Sequence, residues 1–210
     1  MNLTTKSFVL AFVAVCVAVT VAPNSWAQQR VDPKAAEYLA DKEPTLRQTN
    51  EPWKRLHMLI YLAPAALAAN EAGKAQAYAE ELLLLGTATR SQPGFGESNY
   101  GQATHVGSVV LGYLAVMNGE MKKAREYLLA AGGVPGSASL NSFGPDMRLA
   151  KELIEKGERD TALAYFDLCA KFWANDRGQI QQWRTIVTQG GMPEFGPNLG
   201  HVFEIWRFAK

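Results

Sequence analysis

From residue 33 onward apolar side chains recur at intervals of three and four, and the strict alternation of a half-buried strand is nearly absent. The pattern predicts an all-α chain, with helices near 33–41, 52–70, 73–85, 100–118, 121–131, 145–156, 159–172 and 179–188. Glycine and proline punctuate these segments. The run GGVPGSASLNSFGPDM at 132–147 reads as a connector in which 132–138 stops one helix and Pro145 opens the next. Proline suits the first helical turn because its missing N–H has no intrahelical partner there. Asp146 would then face the positive end of the helix dipole.

Two of the helix pairs share a template. Leu111-Gly112, Gly119, Ala124, Leu128 and Ala131 are matched 38 residues later by Leu149-Ala150, Gly157, Ala162, Phe166 and Cys169. A small residue on the first helix admits the second, a glycine permits a left-handed turn, and alanine plus a larger apolar residue knob into the first helix. Leu62-Ala63, Asn70, Ala75, Ala79 and Leu82 repeat the intervals more faintly. There Asn70 replaces the glycine, and Pro64 is expected to kink the first helix.

This spacing resembles the tetratricopeptide repeat, a helix-turn-helix unit of about 34 residues. In that register the units cover 56–89, 105–138 and 143–176, with 15 and 4 extra residues in the two connections. The segment LNSFGPDMRLAKELIEKGERDTALAYFDLCAKFW also resembles an uncharacterised group of exported bacterial helical-repeat proteins. The resemblance implies a right-handed stack of antiparallel hairpins, a TPR-like α-solenoid, over 28–190. Ile180, Trp183, Ile186 and Val187 suit a capping helix at about 177–189, and 191–210 forms an irregular apolar tail.

The N-terminus changes the picture of where such a chain works. Lys6 precedes the apolar run 8–22, and Ser25-Trp26-Ala27 supplies a small-x-small site, so 1–27 reads as a signal peptide cleaved after Ala27. The run is shorter than the roughly 20 apolar residues of a membrane span. Cys16 follows Val15 instead of the small residue that precedes a lipid-bearing cysteine. The expectation is a bacterial protein, periplasmic or secreted, with no membrane insertion after cleavage. The whole chain has 21 basic and 20 acidic residues, and loss of Lys6 brings the net charge to 0. Such a balance argues against nucleic acid, which selects clustered Lys and Arg. Cys169 is the only cysteine beyond the leader, so no internal disulfide is expected, and its helical spacing suits a small buried residue.

Chemistry is sparse. His57, His105 and His201 stand on separate segments without metal-ligand spacing, so no metal and no cofactor is expected. His105, near Asn99, Tyr100 and Ser108, suits either a general base or a ring bonded to a neighbouring carbonyl. Ser137, Ser139, Asn141 and Ser142 have no base beside them, and GSASLNSFG is not a nucleophile elbow. No residue is assigned a catalytic role.

The first helices of stacked hairpins form a concave face that holds a partner segment. Here it would present Val109, Tyr113, Val116 and Met117 from one unit, and Met147, Lys151 and Ile154 from the next. The expected function is a protein-interaction or scaffold module with a protein or peptide partner. The competing structural reading is that these side chains are simply covered. Alternative functions are a small-ligand or peptide-binding protein, with its site between the glycine loop from Phe95 to Tyr100 and the stretch from Asn141 to Asp146, or a hydrolase-type enzyme using His105.

Overall fold

The computed structural model describes residues 31–94 and 96–200. The segment 1–27 expected to be a signal peptide, Phe95, His201 and the apolar residues Val202, Phe203, Ile205, Trp206 and Phe208 lie outside the described residues. Nine helices are assigned among the described residues, with no strand: α1 (Pro33–Gln48), α2 (Pro52–Ala68), α3 (Ala72–Thr89), α4 (Gly96–Met117), α5 (Met121–Gly132), α6 (Ala138–Phe143), α7 (Arg148–Glu155), α8 (Arg159–Cys169) and α9 (Gln179–Thr188). A 3-10 turn follows at Gly196–Leu199.

Three hairpins, α2–α3, α4–α5 and α7–α8, are closed by one kind of turn. Asn70, Gly119 and Gly157 have φ of 60°, 75° and 86°. The next residue is a glutamate in each case, and its N–H reaches back five residues: Glu71 to Ala66, Glu120 to Ala115 and Glu158 to Leu153, at 2.8–2.9 Å. This is the six-to-one bond of a Schellman end, which satisfies a carbonyl that the helix leaves open. The template's remaining positions are buried in all three hairpins: Ala63, Gly112 and Ala150, then Ala75, Ala124 and Ala162, then Ala79, Leu128 and Phe166, then Leu82, Ala131 and Cys169. Gly112 shows why the first of these must be small. A Cβ there would run into the Leu149 side chain.

Three helices outrun the sequence reading, α3 by running on to Thr89. α1 continues through Pro44 to Gln48, carrying Ala35, Leu39 and Leu46 on one buried stripe. A proline inside a helix costs about 3 kcal/mol, and here the helix end is tied down from outside. Arg55 donates Nη1 to the Leu46 and Thr49 carbonyls at 2.7 and 2.9 Å. Its Nε and Nη2 hold Glu81 on α3 at 2.6 and 3.0 Å. α4 starts at Gly96, so the glycine-rich stretch forms its opening turns.

The connector at 132–147 is the main correction. Its centre is the short helix α6, capped by Ser137, whose Oγ accepts the Leu140 N–H at 3.0 Å. Pro145 lies before α7, which begins three residues later at Arg148. Asp146 still serves that end, accepting the Arg148 N–H at 2.8 Å.

The core has two buried clusters, and α4 belongs to both. Val106, Val110, Leu111 and Leu114 join α1, α2 and α3. Val109, Tyr113, Ala115 and Val116 join the side formed by α5 through α9. A helix apolar all round is a central one, and that explains the fate of the expected inner face. After α9 the chain turns back at Gly190 and seats Phe195 against Trp183 and Phe166, with ring centroids 5.0 and 6.1 Å apart. Asn198 then donates to the Phe143 and Pro145 carbonyls at 3.1 and 2.9 Å, and its own carbonyl accepts the Met147 N–H at 2.8 Å. The segment 190–200 is thus a latch on the entrance to α7.

Candidate functional site

The expected inner-face residues are mostly interior. Val109, Tyr113, Val116, Met147 and Ile154 are buried, and only Met117 and Lys151 are half-buried. Lys151 pairs with Glu155 on its own helix. Tyr100 is half-buried under the Arg90 guanidinium, 4.1 Å from its ring centroid, and Arg90 in turn holds Glu97. Asn141 and Ser142 are exposed at the end of α6.

His105 is fully buried. Its Nδ1 donates to the Ala131 carbonyl at 2.9 Å, and its Nε2 accepts the Asp146 N–H at 3.1 Å. That pair of bonds requires the neutral ring with its proton on Nδ1. Burial holds the imidazole below its ordinary 6.5, opposed by the Ala131 bond and the Asp146 charge. The Asp146 carboxylate receives Arg148 through Nε at 2.9 Å, and the Asp146 carbonyl accepts the Tyr165 hydroxyl at 2.8 Å. A polar cluster of catalytic appearance therefore ties α4, α5, the α6–α7 link and α8 together. Cys169 is equally interior, and burial pushes its thiol far above the usual range.

An open groove lies elsewhere. On α2 the residues Trp53, His57 and Tyr61 recur every four positions along one edge of the buried stripe of Leu56, Leu59, Ile60 and Ala63; Ile60 reaches the groove and Tyr61 packs partly on the core. Trp53 is 53% exposed. His57 donates Nδ1 to the Trp53 carbonyl at 2.8 Å, which orients the ring and leaves Nε2 to accept when the ring is neutral. Across from this stripe stand Ser98, Asn99 and Gln102, from the opening turns of α4, with Ser137, the cap of α6, and Ser139 in its first turn. They are held close by a backbone crossing: a Cβ on Gly101 would overlap the Gly136 carbonyl. Ser137 donates to Gln102 Oε1, and the Ala138 N–H reaches Ser98 Oγ at 3.4 Å.

Two cavities of about 240 and 370 Å³ share His57 and Asn99 and make this groove continuous to Trp53, Gln92 and Pro93. Among the described residues no Asp, Glu, Lys or Arg lines either one. The arrangement can offer aromatic surface together with neutral amide and hydroxyl groups. His105 lines neither cavity.

Trp53, His57 and Tyr61 are not among the residues that the sequence pattern singles out. The available signal is their spacing, three large rings recurring every four positions on α2.

Among the described residues no group of His, Cys, Asp and Glu is placed to hold a metal ion, and no helix is long and apolar enough to cross a membrane. The chain matches no protein-family model, no curated protein and no solved structure.

Proposed function

We propose that this chain is an exported, non-catalytic interaction module, built as a TPR-like right-handed stack of hairpins, which holds an extended uncharged segment of a protein partner. The partner lies in the groove between α2 and the α4–α6 junction. The observation that carries this reading is the pair of adjoining cavities with an exposed tryptophan and, among the described residues, no charged lining residue. Neutral amides and hydroxyls suit the N–H and C=O groups of a peptide backbone, and Trp53 supplies an apolar anchor. Export rests on the leader-like segment 1–27. The partner surface moves from the inner helix face, where most of the expected residues are packed, to this groove. The cavity of about 370 Å³ beneath Trp53 also falls within the size range of small-molecule sites, which favours a small ligand as the second reading.

Panning a random peptide library over the wild type is expected to enrich neutral sequences that contain an aromatic residue. Trp53→Ala is expected to weaken the enriched peptides at least tenfold, or ~1.4 kcal/mol. A library that shows no enrichment, or peptides indifferent to Trp53→Ala, would remove the groove as the partner site.

A further inference from the structure

A third cavity, of about 710 Å³, opens between the end of α6, the turn joining α8 to α9 and the 3-10 turn. We propose that it binds a carboxylate carried on an apolar ring. Its lining includes Phe143, Trp173, Asn175, Arg177 and Gln179, among which Arg177 is the only charged residue.

Arg177 differs from the other described arginines. Arg47, Arg55, Arg90, Arg125 and Arg148 each pair with a carboxylate. Arg159 donates to the Gly191 carbonyl, and Arg184 pairs with Asp167. The exposed Arg177 guanidinium has no such partner among the described residues, and its fork of donors matches a carboxylate in shape and charge. Its backbone is also unusual. Arg177 has φ of 54°, in the left-handed region that a non-glycine residue adopts only at a cost in strain. The neighbouring Asp176 does not compete, because its two oxygens accept the N–H groups of Gly178 and Ile180 at 3.0 and 2.9 Å.

A buried donor without a partner stands at the same place. Trp173 is 5% exposed, and its ring N–H is the one buried side-chain polar atom among the described residues that lacks a hydrogen-bond partner. Buried polar groups are rarely left in this state. Phe143, 56% exposed, and the Trp173 ring give the same cavity an aromatic wall. Cation, neutral donors and aromatic wall together select an anion attached to a flat apolar body. A neutral ligand would leave the guanidinium unanswered.

Calorimetric titration of the full chain with phenylacetate, N-acetylphenylalanine and the neutral N-acetylphenylalaninamide tests the proposal. Both acids are expected to bind, with the amide at least tenfold weaker. Arg177→Gln is expected to weaken both acids at least tenfold while keeping the wild-type thermal melt. No binding of either acid in the millimolar range, an amide as tight as its acid, or an unchanged Arg177→Gln would overturn the site. Tighter N-acetylphenylalanine assigns the carboxylate to the last residue of a peptide, and tighter phenylacetate to a free aromatic acid; both outcomes uphold carboxylate recognition. Trp173→Phe keeps the ring and removes the N–H. A severalfold loss is expected, and unchanged affinity would overturn the part assigned to that donor.

Discussion

The junction between the first two hairpins and the junction between the last two meet the same packing requirement with different chemistry. At the first, α3 lies directly on α4 through small residues. A Cβ added to Gly86 would stand 2.7 Å from the Ala103 Cβ, and one added to Gly107 would stand 3.0 Å from the Ala79 carbonyl oxygen. Helix meets helix there, and the backbone groups are already paired within each. At the second junction irregular chain is buried between helices, and its N–H and C=O groups need partners. His105, Tyr165 and Asn198 supply them. A grouping of His, Asp, Arg and Tyr thus arises from pairing buried backbone, while the open polar groove forms on the side of the dry junction.

The largest effect expected from breaking this contrast is at His105. His105→Ala leaves the Ala131 carbonyl and the Asp146 N–H without partners, at about 1–3 kcal/mol for each buried group. Urea unfolding should show a loss larger than that of any single substitution at the first junction. His105→Gln offers one donor and one acceptor and is expected to recover part of it. A small loss for His105→Ala would mean that the second junction does not depend on its polar links.

The same ring predicts a pH dependence. Burial lowers the folded-state value of His105 below 6.5, so the unfolded chain takes up a proton that the folded chain resists. The contribution is complete above pH 6.5 and is lost as pH falls from 6.5 towards the folded value, with a slope of at most ~1.4 kcal/mol per pH unit for one proton. Unfolding curves across this window should slope for the wild type more than for His105→Gln. Identical slopes would show that His105 does not carry the effect.

The first junction should respond to volume alone. Gly86→Ala is expected to cost about 1–3 kcal/mol by overpacking against Ala103. Adding Ala103→Gly should return most of that loss, because the pair exchanges its small residue across the contact. If the double variant is as unstable as the sum of the two singles, the contact is not the cause.

These contrasts explain what could be read from the chain. The hairpin turns were legible because a left-handed residue narrows the choice to glycine or asparagine, and Gly119, Gly157 and Asn70 stand at matching intervals. The extension of α1 was hidden because Pro44 is a local stop signal, overridden by the burial of Leu46 and by Arg55 on another helix. α6 was hidden because six residues are too few to show a helical period, and its cap, Ser137, sits in a run that reads as loop. The expected inner face followed from hairpin geometry. Its burial depends on the position of α4 between two clusters, which no local pattern contains.

Trp53 gives the smallest expected change in stability and the sharpest separation between packing and binding. Its side chain is half in solvent, beside His57 in an edge-on arrangement with ring centroids 6.0 Å apart and with Lys54 5.5 Å from its own ring. Trp53 belongs to neither core cluster, so removing the indole opens no interior cavity. Trp53→Ala should therefore change unfolding free energy by no more than about 0.5 kcal/mol, as surface substitutions usually do. If the variant instead unfolds as readily as one altered in the core, Trp53 is a packing residue. The groove would then lose its apolar anchor, and the division between a polar packed junction and an open one at α2 would fail with it.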